Sequence, residues 1–188
     1  MHHSGLRRLF TALTGTGFAL GALTVWAVSA ADRHNTPWLA GTVPAALSVG
    51  SVAAGALLAH RALPGTPAAQ LRKISMAFAA SWLPLLAEPS PWAAVVAVLV
   101  PGAVLTPLIT SAFLTTEALS APGMVTEAYA WLIAAVGTGQ AAGTALAGLT
   151  TTHHPHTTAA LPALGAAFTT AVHLASRRHM RPGHPEHR

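Results

Sequence analysis

The feature that most limits what this chain can become is where its charge is missing. Six stretches, 9–31, 37–59, 74–87, 92–116, 125–149 and 157–176, contain no Lys or Arg and a single acid, Glu127. A bilayer core about 30 Å thick takes about 20 apolar residues per helix, so a chain of 188 residues has room for six crossings and short connections. Composition points the same way, with 52% hydrophobic and 8% charged residues, against roughly 25% charge in soluble domains. The expected fold is therefore all-α, a polytopic membrane protein of six transmembrane helices surrounded by the lipid bilayer. Residues 1–8 are read as a cytoplasmic N-terminus, 9–176 as the transmembrane domain and 177–188 as a basic cytoplasmic tail. Pro44, Pro84, Pro101, Pro107 and Pro162 lie inside the stretches, where local kinks are expected because neighbouring helices satisfy the freed carbonyls.

The third stretch, 74–87, is shorter than a bilayer requires, and the basic residues decide whether it crosses. Arg7 and Arg8 precede the first stretch, Arg61, Arg72 and Lys73 separate the second and third, and Arg177, Arg178, Arg181 and Arg188 follow the sixth. Six crossings put nine of the ten basic residues on one side and leave only Arg33 on the other, as the positive-inside preference demands. The expected location is the plasma membrane, with both termini cytoplasmic. Snorkelling by Arg72 and Lys73, or local thinning of the bilayer, covers the short third stretch. A competing reading takes Arg7 and Arg8 with the following apolar run as a secretory signal cleaved after Val28-Ser29-Ala30; the length of the run argues against it.

Several function classes find no support. There is no cysteine, hence no disulfide framework or thiolate metal site. The formal charge of +5 is spread between apolar stretches, where it orients helices, so no nucleic-acid partner is expected. No nucleophile–base pair, phosphate loop or cofactor fingerprint occurs, so neither an enzyme nor a cofactor is expected. His153, His154 and His156 cluster in the last external loop without a carboxylate or thiolate, and are read as a solvated loop, not a metal site.

What remains is packing and polarity within the helices. Gly17 with Gly21, Ser51 with Gly55, and Gly139 with Gly143 have the small-x-x-x-small spacing that lets helix backbones approach in lipid. Gly41, Pro44, Ser48, Ser51 and Gly55 fall near one face of the second helix, which should meet protein or a cavity. In the fifth, Gly137, Gln140 and Thr144 share a face beside that of Gly139 and Gly143. Gln140 is the most polar residue deep in any stretch, and an amide in hydrocarbon is costly without a hydrogen bond, so it should face a wet cavity or a partner helix. Thr16 with Thr14, and Thr106 with Thr110, are weaker cavity candidates, because threonine can satisfy its hydroxyl on its own helix. Glu127 belongs at the cytoplasmic start of the fifth helix, favoured by the helix dipole. The string Gly-Thr-Gly-x-Ala-x-Gly occurs at Gly15–Gly21 and again at Gly137–Gly143, and is not read as a repeat.

Val125-Thr-Glu-Ala-Tyr-Ala-Trp131, followed by the glycine-spaced Gly137 to Gly148, resembles the eleventh helix of bacterial major facilitator superfamily transporters, particularly the drug-efflux-like branch. Ser48, Gly50, Ser51 and Gly55 followed by His60-Arg61 resemble the eighth helix and its basic loop, and Val100-Pro-Gly-Ala-Val-Leu-Thr-Pro107 is similar to the tenth. The resemblance implies the C-terminal six-helix half of that twelve-helix fold, with the first, second, fourth and fifth helices lining a central cavity. The leading reading is export of a small amphipathic solute through that cavity, with Arg61 and Glu127 at the cytoplasmic mouth, where a structural role for Glu127 at its helix start is the default and a part in gating the alternative. Its partner would be a second, parallel copy or a separate N-terminal half. The alternative is a non-transporting remnant or a membrane interaction subunit.

Overall fold

The structure, a computed structural model, describes residues 3–59, 66–153 and 158–175. Among them the chain forms six α-helices: α1 (His3–Arg33), α2 (Leu39–Leu58), α3 (Pro67–Ser81), α4 (Pro91–Leu119), α5 (Val125–His153) and α6 (Ala160–Ala175). Four of these, α1, α2, α4 and α5, are long and apolar enough to cross a membrane, whereas α6 is a shorter apolar helix. The most apolar windows of α2 and α5 are each only 22% buried, and that of α1 is 61% buried. That contrast makes α1 the central helix and leaves the others presenting apolar side chains outward, among them Val52, Leu57, Val96, Ile133 and Leu149. Apolar surface on this scale requires lipid or another protein against it.

The third helix begins seven residues before the apolar stretch at 74–87 does, at Pro67. Thr66 caps it by accepting from the Ala69 N–H, and Pro67 occupies the first helical position, where its missing N–H costs nothing. Arg72 and Lys73 therefore lie inside the helix, not before it. Pro84 has no N–H for the carbonyl one α-turn back, so the chain tightens into a 3₁₀ turn over Leu83–Ala87. The two pieces together supply roughly 32 Å of rise, about one bilayer core. By contrast α2 continues through Pro44, and α4 through Pro101 and Pro107.

Contacts set the helix directions. Gly5 lies against Leu119, Gly15 against Gly165 and Thr169, and the Thr170 hydroxyl donates to the Ser75 carbonyl at 2.7 Å. These pairings run α4 and α6 antiparallel to α1, and α3 antiparallel to α6. The most extensive packing, α1 on α5, and the next, α2 on α4, are between parallel helices. Successive helices thus alternate in direction, and the described ends of the chain lie at the same end of the bundle. Each described Asp, Glu, Lys and Arg lies toward one of the two ends. Arg7, Arg8, Arg72, Lys73, Glu117 and Glu127 share one end, with Asp32, Arg33 and Glu88 at the other.

Both parallel crossings are built the same way. A side chain added at Gly17 would strike the Val136 carbonyl, and one at Gly139 the Thr14 carbonyl; Gly21 and Gly143 stand in the same relation to Gln140 and Phe18. Each glycine meets the carbonyl one turn before its counterpart on the other helix, so the pair has a local two-fold relation. This gives the shared Gly-Thr-Gly-x-Ala-x-Gly string a physical reason: the two copies pack on each other. In the α2–α4 crossing, Gly50 meets the Leu99 carbonyl and Gly102 the Leu47 carbonyl. Backbones this close exchange dispersion and weak Cα–H···O contacts, which is what drives helix association where lipid supplies no hydrophobic force.

The partnering also repeats at a larger scale. α1 packs chiefly on α5 and then α6, while α4 packs chiefly on α2 and then α3. Exchanging α1 to α3 with α4 to α6 reproduces the pattern. The bundle is therefore two trios, α1–α5–α6 and α4–α2–α3, with lesser packing between them through α3 on α6 and α1 on α2. Buried polar residues, among those described, are all serine or threonine.

Candidate functional site

The fifth helix separates its faces as its 3.6-residue period requires. Gly139, Gly143 and Ala147 are buried against α1, whereas Gly137, Gln140, Ala141 and Thr144 are exposed. Gln140 sits close to the midpoint of the helix, with no hydrogen bond to its amide among the described residues. Nothing lies within 4 Å of where a side chain would stand at Gly137 or Gly148. The Thr144 hydroxyl leans back to the Gly21 carbonyl at 3.4 Å. Along α2, Gly41 and Ser48 are also exposed, with the Ser48 hydroxyl donating to its own helix at the Pro44 carbonyl, 3.1 Å away. Thr110 on α4 is exposed too.

Other residues expected to line a cavity are used for packing. Thr16 is fully buried between α1 and α6, its oxygen 3.3 Å from that of Thr169, which itself donates to the Ala12 carbonyl at 3.0 Å. It faces away from the exposed strip of α5, because the inner positions of a central helix are taken by its neighbours. Ser51 and Thr106 join α2 to α4: their hydroxyl oxygens are 2.6 Å apart, and Thr106 also donates to the Ser51 carbonyl at 2.7 Å. Replacing Thr106 by valine keeps the volume and removes both bonds. A loss of about 1–3 kcal/mol in detergent is expected, read from thermal unfolding, with Thr106→Ser close to the parent.

Of the glycines expected to pack helices, Gly17, Gly21, Gly139 and Gly143 sit at backbone crossings, while Gly55 has only an ordinary contact with the Thr106 methyl group at 3.6 Å. Gly50, Gly102, Gly15 and Gly165 were not singled out by spacing, yet all four stand where a side chain would clash. A shared Leu-x-x-Gly at Leu47–Gly50 and Leu99–Gly102 was the available signal.

At the basic end Glu127 is exposed in the first turn of α5 and accepts a long bond from Trp131 Nε1 at 3.4 Å. Tyr129 packs edge-on to Phe113 at 5.0 Å and tilts its hydroxyl toward Glu117, holding α5 to α4 there. At the opposite end Trp38 and Trp92 stack at 4.5 Å, both exposed. Tryptophan with one wet and one apolar edge suits a membrane–water boundary. Arg61, His154 and His156 lie outside the described residues, and no group of three metal-ligating side chains occurs among those described.

No known family matches the sequence, and neither a curated protein nor a solved structure does. The chemistry of the site therefore carries the functional reading. An exposed strip of amide, hydroxyl and bare glycine backbone at the middle of a long apolar helix can face water or another polypeptide. It is poorly suited to hydrocarbon.

Proposed function

We propose that this chain is a plasma-membrane protein crossing the bilayer six times, with both ends cytoplasmic, and that it supplies one wall of a central cavity through which a small amphipathic solute is exported. Its type is a half-unit of a major facilitator transporter. The observation that carries the reading is Gln140, an amide exposed at mid-helix and without a hydrogen bond among the described residues. Placing such a group in hydrocarbon without a hydrogen-bond partner costs roughly 2–7 kcal/mol. The exchange relation between α1–α3 and α4–α6 adds support, since inverted three-helix repeats are a construction of such halves. The opposite wall comes from a second copy in the same orientation or from a separate N-terminal half. Either would cover the strips of α2 and α5 with matching polar surface.

The chain has no cysteine, so Gln140→Cys gives a unique probe. The expected result is labelling by a membrane-impermeant maleimide, or a crosslink to a neighbouring chain. Reaction only with a lipid-dissolved reagent would remove the cavity. A second reading, a membrane interaction subunit without transport, is favoured by the placement of every described Asp, Glu, Lys and Arg toward the bundle ends, since charge-coupled transport relies on intramembrane ionisable groups. Solute flux into vesicles containing the purified chain separates the two readings.

A further inference from the structure

The seam where α6 crosses α1 carries a groove of about 280 Å³, lined by Thr14, Gly15, Phe18, Leu164, Gly165 and Phe168. Its floor is bare backbone, because Gly15 and Gly165 meet there, and each phenylalanine ring lies over the glycine of the other helix. Leu164 and Phe168 are exposed along one wall. The hydroxyl in the lining, that of Thr14, donates to the Phe10 carbonyl of its own helix at 3.0 Å. With that proton spent, the side chains of the groove offer no free donor, and hydrocarbon is the occupant its chemistry fits.

Charge sits at one mouth of this seam. Arg7, Thr11, Thr14 and Phe18 follow one stripe of α1 at helical spacing, and Arg8 begins the adjacent stripe, through Ala12 and Gly15, that packs on α6. Both arginines are exposed, with no ion pair or side-chain hydrogen bond among the described residues. The acids of that end are on α4 and α5, where Glu117 accepts from Tyr129 and Glu127 from Trp131. Along the helix axis the groove begins about 10 Å from Arg7 and reaches Phe18 at about 16 Å, which is about the depth of one leaflet's hydrocarbon. By contrast, the apolar groove between α3 and α6 runs past Leu83 and Leu86 to Ala160, toward the end that carries Asp32 and Glu88.

We infer that the α1–α6 seam holds one anionic phospholipid of the leaflet on the Arg7 side, its phosphate on Arg7 and Arg8 and an acyl chain in the groove over Gly15 and Gly165. Guanidinium forks pair with phosphate oxygens, and basic sites between transmembrane helices select acidic headgroups. The site rests on the membrane placement proposed above, under which that leaflet is the cytoplasmic one, and uses none of the exposed strip of α5. A chain seated there fills the hollow over the two glycines and fastens α6 to the central helix.

The test uses the full chain in mild detergent, with retained lipid counted by native mass spectrometry and thermal unfolding followed in parallel. The probes are dioleoylphosphatidylglycerol and dioleoylphosphatidylcholine, which share their chains and differ in charge. The parent is expected to retain one phosphatidylglycerol in preference to phosphatidylcholine and to unfold at a higher temperature with it. Arg7→Gln with Arg8→Gln should weaken that retention about thirtyfold, the scale of two arginines beside an anionic headgroup. Arg7→Lys with Arg8→Lys should stay within about fivefold of the parent, because the charge is kept. Leu164→Trp fills the groove and should weaken retention with both arginines in place. Arg7, Arg8 and Leu164 are all exposed, so these variants should keep the helical circular dichroism of the parent. Arg72→Gln with Lys73→Gln removes the same charge from the same end, on α3, and should leave retention unchanged. Glycerol phosphate, a headgroup without chains, should not displace the lipid. Equal retention of the two lipids, equal losses in the two charge-removing variants, or displacement by glycerol phosphate overturns the site. Arginine-dependent retention in a protein whose Gln140→Cys never meets water or another chain keeps this site and removes the central cavity. Water-accessible Gln140→Cys with arginine-independent retention does the reverse.

Discussion

Gly139→Val is expected to abolish the native bundle, or to cost it more than about 3 kcal/mol, while Gly137→Val, two positions away on the same helix, changes stability by less than about 1 kcal/mol. The contrast follows from what each new side chain meets. At Gly139 it runs into the Thr14 carbonyl, a backbone atom that cannot rotate aside, whereas at Gly137 nothing lies within 4 Å. Relief at Gly139 requires α1 and α5 to separate along the most extensive interface in the molecule, losing the reciprocal contacts of Gly17, Gly21 and Gly143 together. Helix propensity is not the cause, since both substitutions place the same residue in the same helix. Thermal unfolding monitored by helical circular dichroism in a mild detergent is the measurement. Equal stability of the two variants would show that the α1–α5 crossing does not exist in solution.

The second large effect is all-or-none. Single cysteines at Thr66 and Ala121 are expected to react with an impermeant maleimide from one side of a sealed vesicle, and cysteines at His34 and Ser90 only from the other. All four positions are exposed and lie outside the six α-helices, so labelling should report sidedness, not access. The decisive comparison is Thr66 with Ser90, which flank α3 and its 3₁₀ extension. Reaction of both from the same side would mean that the short third segment does not cross. The alternation of helix directions would then have to be accommodated without a third passage through the membrane.

Much of this was legible in the sequence because helices long and apolar enough to cross a membrane declare themselves by what they lack. The start of α5, the packing of Gly139 and Gly143 at a helix crossing and the turning of Gln140 away from that crossing follow from apolar length and helical period; the end of α5 does not, since the helix runs on to His153, a residue expected in the loop. The start of α3 did not follow from hydropathy, because Arg72 and Lys73 interrupt the apolar run; the Thr66-Pro67 cap was the local signal that a helix had already begun. Thr16 shows a different limit. Periodicity says which residues share a face but not which neighbour occupies it, and α6 occupies the face of Thr16. The pairing of the Gly-Thr-Gly-x-Ala-x-Gly strings was hidden for the same reason. Similarity between two helices looks like a repeat in one dimension, and only packing reveals it as a symmetric crossing.

The division into two trios has a mechanical consequence. Among the described residues, the approaches of glycine to a backbone carbonyl fall within a trio, none between trios. A rocking of one trio on the other would therefore leave the glycine crossings intact and shear α3 over α6 and α2 over α1, where side-chain contacts, and the Thr170 bond to the Ser75 carbonyl, can be exchanged step by step. The crossings would travel as rigid hubs, and the compliance of the whole assembly would reside in the line where the leaves meet.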